Sequence, residues 1–413
     1  MNRDSMSENV RKEYDEKSKY LDKIRGCMFG GAIGDALGYV VEFSDENSIF
    51  SKYGDTGITD YELDRHTGKA LISDDTQMSL FTANGLLFGD TRGRMRGIRT
   101  EPRHYVVKAY QDWLRTQEMS YSQWLNKDKD FMENISWLSY VPELYSLRAP
   151  GNTCLSSLRR RQNEKPIISY IDTPVNNSKG CGGIMRTAPI ALRYQIKDRY
   201  TLDLEAAEIS AITHSHSLGY MPSAILAHII NMIVYPDEPL LLKEIILDAE
   251  TAAIEQFKED PYLQDLIRII DLAVKLAENN DTDLNNIHAI GEGWVAEETL
   301  GIAIYCALRH QEDFSAGVIA AVNHKGDSDS TGAVTGNILG AIHGYNAIDL
   351  KWKKNLELSD IILEISDDLC YGCLMSEYDD YDDPEWSKKY INCGLSQEEM
   401  DRYWANVFSS SKE

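Results

Sequence analysis

Apolar residues along this chain recur mostly at three- and four-residue spacings, the pattern of helices that bury one face. MSLFTANGLL, SAILAHIINMIV, LKEIILDAETAAIEQF, QDLIRIIDLAVKLAENN and WVAEETLGIAIYCALR all carry it. Strand-like alternation is confined to YVVEF and KPIISYIDT, too little to build a sheet. No repeat of fixed period is evident. The pattern predicts an all-α protein with a single compact multi-helix domain over residues 21–350. Residues 1–20 read as a polar N-terminal extension, and residues 351–413 as an acidic C-terminal extension packed on or beside the domain. No long Gly/Ser-rich or Pro-rich stretch suggests two domains on a flexible linker.

Two predicted helices carry glycine at every fourth position: Gly26, Gly30, Gly34 and Gly38 in one, and Gly332, Gly336, Gly340 and Gly344 in the other. Glycine inside a helix costs about 1 kcal/mol relative to alanine, so the stripes need a compensation. Spacing of four aligns each set along one ridge, where the missing side chains allow backbones to approach closely. Asp35 and Glu42 adjoin the first stripe, and Asp327 and Asp329 precede the second. Packing the stripes together would bring two distant acidic segments side by side.

Charge narrows the function. The 413 residues include 66 acidic against 42 basic, a net charge of −24. A nucleic-acid binder needs a basic footprint, which this chain lacks overall. The one local exception, Arg92, Arg94, Arg96, Arg99 and Arg103, reads as a solvated loop. The N-terminal segment has no apolar core of a secretory signal, and no apolar run is expected to span a bilayer. Seven cysteines read as reduced thiols of a cytoplasmic protein. Cys370 and Cys373 form a lone C-x-x-C without the second ligand pair that zinc requires. The run EYDDYDDPEW reads as a solvated tail or lid edge.

Two short segments carry candidate chemistry. Ser73-Asp74-Asp75-Thr76 precedes one amphipathic helix, and Gly326-Asp327-Ser328-Asp329-Ser330-Thr331 precedes another. Serine and acids suit a helix start, since they satisfy free N–H groups and complement the dipole. Capping does not require adjacent aspartates, which repel each other unless something positive lies nearby. Clustered carboxylates and hydroxyls are hard oxygen donors that suit Mg²⁺, Mn²⁺ or Ca²⁺ better than zinc. Asp35 reads either as a metal neighbour or as an acceptor for local backbone donors, with the second favoured. His214 and His216, two apart, do not share a helix face, and His216 reads as structural. Cys181 reads as an inert thiol.

GCMFGGAIGDALGYVVEF, SDDTQMSL, GNTCLSSL, NNSKGCGGIMRTAPIAL, ITHSHSLGY, GWVAEETLGIAIYCALR and NHKGDSDSTGAVTGNILGAIHG occur in this order between Leu21 and Ile348. With these blocks the sequence resembles the ADP-ribosylglycohydrolase family. The resemblance implies metal ligation by Ser73, Asp74 and Asp75 in one segment and by Asp327, Asp329 and Ser330 in another. Serine at 330 stands where the family often has threonine, and Cys181 where some members have asparagine. Glu42 matches a glutamate beside the metals and the scissile ribose, which marks it as the catalytic residue. Gly180, Cys181, Gly182, Gly183, Ile184 and Met185 match a loop lining the ADP-ribose site, and His214 a histidine that some members place against the ligand.

The resemblance therefore implies a hydrolase with two divalent cations, Mg²⁺ or Mn²⁺, that frees ADP-ribose from a protein side chain or small molecule. Nucleic acid and membrane are not expected partners. One rival is a phosphoesterase using the same carboxylates. Another is a binding or immunity-type member of the fold that sequesters ADP-ribose or an ADP-ribosyltransferase. The acceptor linkage is not readable from these blocks.

Overall fold

Two glycine-striped helices, Leu21–Gly38 and Ser328–His343, lie antiparallel at the centre of the molecule. Gly26 faces Gly340, Gly30 faces Gly336, Gly34 faces Gly332 and Gly38 faces Ser328. A methyl group on Gly332 would stand 2.5 Å from the Gly34 carbonyl oxygen, a separation no carbon tolerates. Close backbone contact is the compensation for the glycines, with the Asn337 amide donating across the pair to the Cys27 carbonyl at 2.8 Å. Gly344 differs from the rest of its stripe. It ends the helix with φ +75° and sits beside Asp22. Antiparallel packing sets the end of one helix beside the start of the other, and this juxtaposition builds the site.

This structure is a computed structural model that describes residues 6–97, 101–126, 134–162, 164, 167–193, 198–378 and 380–410, the last five as backbone only. Among the described residues no strand occurs, only the isolated bridges Ala70–Leu356 and Gly180–Val295. Residues 39–43, read as a brief strand candidate, form turns after the first glycine helix, and 167–173 are irregular. The other helices surround the central pair. Ser217–Val234 is a correction to the sequence reading: it is long and apolar enough to cross a bilayer, yet 94% of it is buried inside the protein. Apolar residues cover it all round because it is a core helix.

The polar lead and the acidic tail meet. Helix Glu8–Ser18 packs on Ser359–Tyr371, with Tyr14 and Tyr371 stacked at 4.2 Å and the Lys17 ammonium donating to the Tyr371 carbonyl at 2.5 Å. The EYDDYDDPEW run is more than a solvated edge. Tyr378 is exposed, but Tyr381 and Trp386 are buried, and the Asp383 carboxylate caps the helix Pro384–Tyr390. Asp379 lies outside the described residues.

The arginine run also differs from the expected loop. Arg92, Arg94 and Arg96 close the helix Asp74–Arg96, where positive charge complements the dipole. Arg94 pairs with Glu13 at 2.8 Å and Arg103 with Glu205 at 2.6 Å; Arg99 lies outside the described residues. Cys370 and Cys373 are buried and donate to carbonyls of Lys17 and Met375.

Candidate metal centre

The first aspartate pair opens the helix Asp74–Arg96. Ser73 is its N-cap, its Oγ accepting the Asp75 N–H at 3.1 Å. A second acceptor comes from the glycine helix. Asp35, fully buried, accepts the N–H groups of Ser73 at 2.9 Å and Thr76 at 3.1 Å, and the Thr76 hydroxyl as well. Asp35 thus satisfies backbone donors, as one of its two sequence readings had it, but those of a segment 38 and 41 residues away and not local ones. With the helix start satisfied, Asp74 and Asp75 have little capping to do. The Asp74 carboxylate accepts the Gly151 N–H at 3.3 Å, and that of Asp75 accepts the Ser330 hydroxyl at 2.8 Å.

The second pair opens the second glycine helix. Asp327 occupies the N-cap position but makes no side-chain cap bond. Asp329 accepts the Ser330 N–H at 2.9 Å. Glu42, which follows the first glycine helix, brings its carboxylate to both, so that oxygens of Glu42, Asp327 and Asp329 lie within 4.8 Å of one another. All three residues are buried, and Glu42 Oε2 has no hydrogen-bond partner. The Cys181 thiol donates to Asp327 Oδ2 at 2.6 Å.

Burial, and then mutual repulsion, makes Glu42, Asp74, Asp75 and Asp329 hold their protons. Burial lifts Glu42 to about 9, with Asp327, Asp74 and Asp35 adding to the rise. Burial likewise lifts Asp74 to about 8 and pushes Asp75 and Asp329 well above the carboxylate range. Nearby cations are committed elsewhere: Arg148 to Glu357, Lys179 to Glu297 and Lys325 to Glu292. Buried oxygen donors without a countercharge, one with an unpartnered atom, fit a divalent cation. This triad is the acidic or His/Cys group among the described residues that can hold a metal ion.

The predicted site residues are distributed as follows. Glu42, Asp327 and Asp329 converge; Ser330 and Asp75 join them through their hydrogen bond. Asp74 borders Asp75, and the Ser73 hydroxyl is turned to capping. Gly180 leads into a 3-10 helix, Cys181–Arg186. Gly180 and Cys181 are half-buried, whereas Gly182, Gly183, Ile184 and Met185 are enclosed. His214 packs against this segment, since a methyl group on Gly182 would stand 2.7 Å from its Cε1. Burial and the Arg186 guanidinium hold the His214 ring down to about 3, so it stays neutral. His216 caps the Ser217–Val234 helix through Nδ1, which accepts the Leu218 N–H at 3.1 Å.

Sequence reasoning missed the rim. Phe43 and Trp294, 75% and 40% exposed, stack with centroids 6.2 Å apart. Phe43 follows Glu42 directly, and the Trp294 carbonyl accepts the Cys181 N–H at 3.3 Å. Phe43 ends one of the family blocks and Trp294 stands second in another, so an aromatic residue inside each block was the available signal.

A family model described as ADP-ribosylglycohydrolase matches residues 16–379. The chain belongs to the ADP-ribosylglycohydrolase family. Its match includes the end of the polar lead and the start of the acidic tail. The chain is similar to ADP-ribosylhydrolase ARH3 of Bos taurus, 24% identical over 370 residues that cover 82% of this chain and 90% of that protein. It is similar to ADP-ribosylarginine hydrolase Tri1 of Serratia proteamaculans, 24% identical over 356 residues, covering 86% and 81%. ADP-ribosyl-[dinitrogen reductase] glycohydrolase of Rhodospirillum rubrum is 21% identical over 343 residues, covering 82% and 91%. Among solved structures, an ADP-ribosylglycohydrolase-related protein complex shares the fold, with a TM-score of 0.58 and 22% identity over 87% of this chain and all of that one. The family's helical fold is the one the apolar pattern predicts.

Proposed function

We propose that this family member hydrolyses the glycosidic bond between ADP-ribose and an acceptor, with divalent cations at the acidic cluster. The observation that carries the reading is the buried, unpartnered Glu42 Oε2 beside Asp327 and Asp329. Asp74, Asp75, Asp327 and Asp329 would hold two cations, Mg²⁺ or Mn²⁺, with the Ser330 hydroxyl donating to Asp75 and the Ser73 hydroxyl capping the helix. Such cations supply positive charge that binds the distal ribose hydroxyls and supports charge developing as the bond breaks.

Glu42 does the proton work. With its carboxylate ionised beside the bound cations, it would accept a proton from the water that attacks the anomeric carbon, and the proton would pass to the departing acceptor atom. The water oxygen forms the new bond to carbon as the old carbon–acceptor bond breaks. Asp35 and Ser73 orient the Asp74–Arg96 helix start, and the Gly180–Cys181 segment closes one side. The exposed rings of Phe43 and Trp294, next to Glu42 and tied to Cys181, would meet the departing acceptor. Flat aromatic faces favour a planar cation, which points to arginine as the acceptor.

The test is turnover of defined arginine- and serine-linked ADP-ribosyl peptides with Mg²⁺ or Mn²⁺, with products separated by chromatography. Free ADP-ribose is the expected product, lost in chelator and reduced by on the order of a hundredfold or more in Glu42→Gln. AMP or phosphate as product would support a phosphoesterase instead. Full activity in chelator or in Glu42→Gln overturns the mechanism, and equal rates on the serine-linked peptide overturn the acceptor assignment.

A further inference from the structure

We propose that Cys181 is a sulfur donor to the cation site of Glu42, Asp327 and Asp329, biasing that site toward thiophilic divalent cations over Mg²⁺. The inference rests on the proposed reading of the cluster as a cation site. It adds a ligand of different chemistry to an otherwise all-oxygen set.

Three observations converge on this thiol. Cys181 Sγ is 2.6 Å from Asp327 Oδ2, and the Ser330 hydroxyl and the Asp75 carboxylate also face it. An inert core thiol has only apolar neighbours, whereas this one, though it also packs against the core, faces oxygens of the cluster. Of the seven cysteines, the other six are buried and Cys181 alone is half-buried. Independently, Glu42 Oε2 is enclosed without a partner and belongs to the same cluster as Asp327. A buried carboxylate oxygen left unpaired is costly, which points to a positive occupant at this spot.

The backbone keeps the sulfur in place. The Cys181 N–H is tied to the Trp294 carbonyl at 3.3 Å, Gly180 bridges to Val295, and His214 packs beneath the turn. A thiol so held offers its lone pairs at no further cost in side-chain ordering. On coordination the S–H bond breaks, a sulfur–metal bond forms and the proton passes to solvent, with no change of oxidation state. Thiolate donors select softer cations, while carboxylate and hydroxyl donors alone suit Mg²⁺.

Titrating the full chain with Cd²⁺ and with Mg²⁺, by calorimetry and ultraviolet absorption, tests the assignment. The wild type should develop a sulfur-to-cadmium charge-transfer band that saturates at the calorimetric end point. Cys181→Ser should lose the band, keep Mg²⁺ binding, and lose roughly tenfold or more of the Cd²⁺-over-Mg²⁺ preference. Cys181→Asn, the residue some family members carry, should behave alike and serves if the serine variant misfolds. A band undiminished in both variants overturns the proposal. So does Cd²⁺ binding to wild type without a band. If neither cation binds wild type, or if both bind Asp327→Ala as tightly as wild type, the cation reading itself fails and this inference falls with it.

Discussion

The two aspartate segments look alike in sequence, each a hydroxyl-and-acid cluster at the start of a helix, yet they solve the helix start differently. At Asp74–Arg96, capping is taken over by Ser73 and by Asp35 from another helix. At Ser328–His343, the N-cap residue Asp327 does no side-chain capping and turns its carboxylate toward Cys181 and Glu42. In both cases the aspartates are released from the local role that their position suggests. What releases them is distant in sequence: Asp35 for one segment, Glu42 and Cys181 for the other. Acids at a helix start are therefore assigned by where the donors find acceptors, and proximity in sequence does not decide it.

The largest contrast comes from deleting one acid of each kind. Asp35→Ala leaves buried N–H and O–H donors of Ser73 and Thr76 unmet, and should destabilise the fold by about 2–4 kcal/mol. Asp329→Asn keeps an acceptor for the Ser330 N–H and replaces a carboxyl that burial and its acidic neighbours already hold protonated. Without cations it should melt no lower than wild type, yet lose the melting increment that Mg²⁺ or Mn²⁺ gives wild type. Thermal melts with and without cation check both. Equal loss of cation-free stability in the two variants would erase the distinction between capping acid and site acid.

pH sharpens the same contrast. Folded carboxyls lifted to about 9 in Glu42, about 8 in Asp74 and about 6 in Asp35 bind protons that the unfolded chain, near 4, has already lost. Their contribution to stability is full below about pH 4 and falls as pH rises through these values. Cation-free protein should therefore lose melting temperature between about pH 5 and 9. Cations favour the ionised carboxylates, so the increment they give should grow over the same interval. A cation increment independent of pH would show that these carboxylates are not the ligands.

Much of this was legible beforehand, and the misses have physical causes. Spacing of four glycines carries its own requirement for a close neighbour, so the meeting of the two acidic segments could be read from one dimension. The assignment of Ser217–Val234 could not, because a core helix and a bilayer-length helix have the same composition and differ only in what surrounds them. Arg92, Arg94 and Arg96 looked like loop charge, since a surface helix end and a solvated loop are equally polar. The contact between Cys181 and Asp327 joins residues far apart in the chain, and nothing local to KGCGG announces it.

The smallest expected effect separates the two hydroxyls that hold matching places beside the aspartates. Ser73 Oγ accepts a backbone N–H, so Ser73→Ala should cost about 1 kcal/mol of stability, the usual loss for an N-cap. Ser330 Oγ instead donates to the Asp75 carboxylate, which a bound cation would keep ionised. Ser330→Ala should leave cation-free melting nearly unchanged and weaken Mg²⁺ binding by roughly tenfold, as loss of a ligand's hydrogen-bond partner does. Melting and calorimetry on the two variants decide it. If Ser73→Ala weakens Mg²⁺ as much as Ser330→Ala at equal stability, then Ser73 is a ligand as well as a cap. The two helix starts would then be more nearly equivalent than their hydrogen bonds indicate.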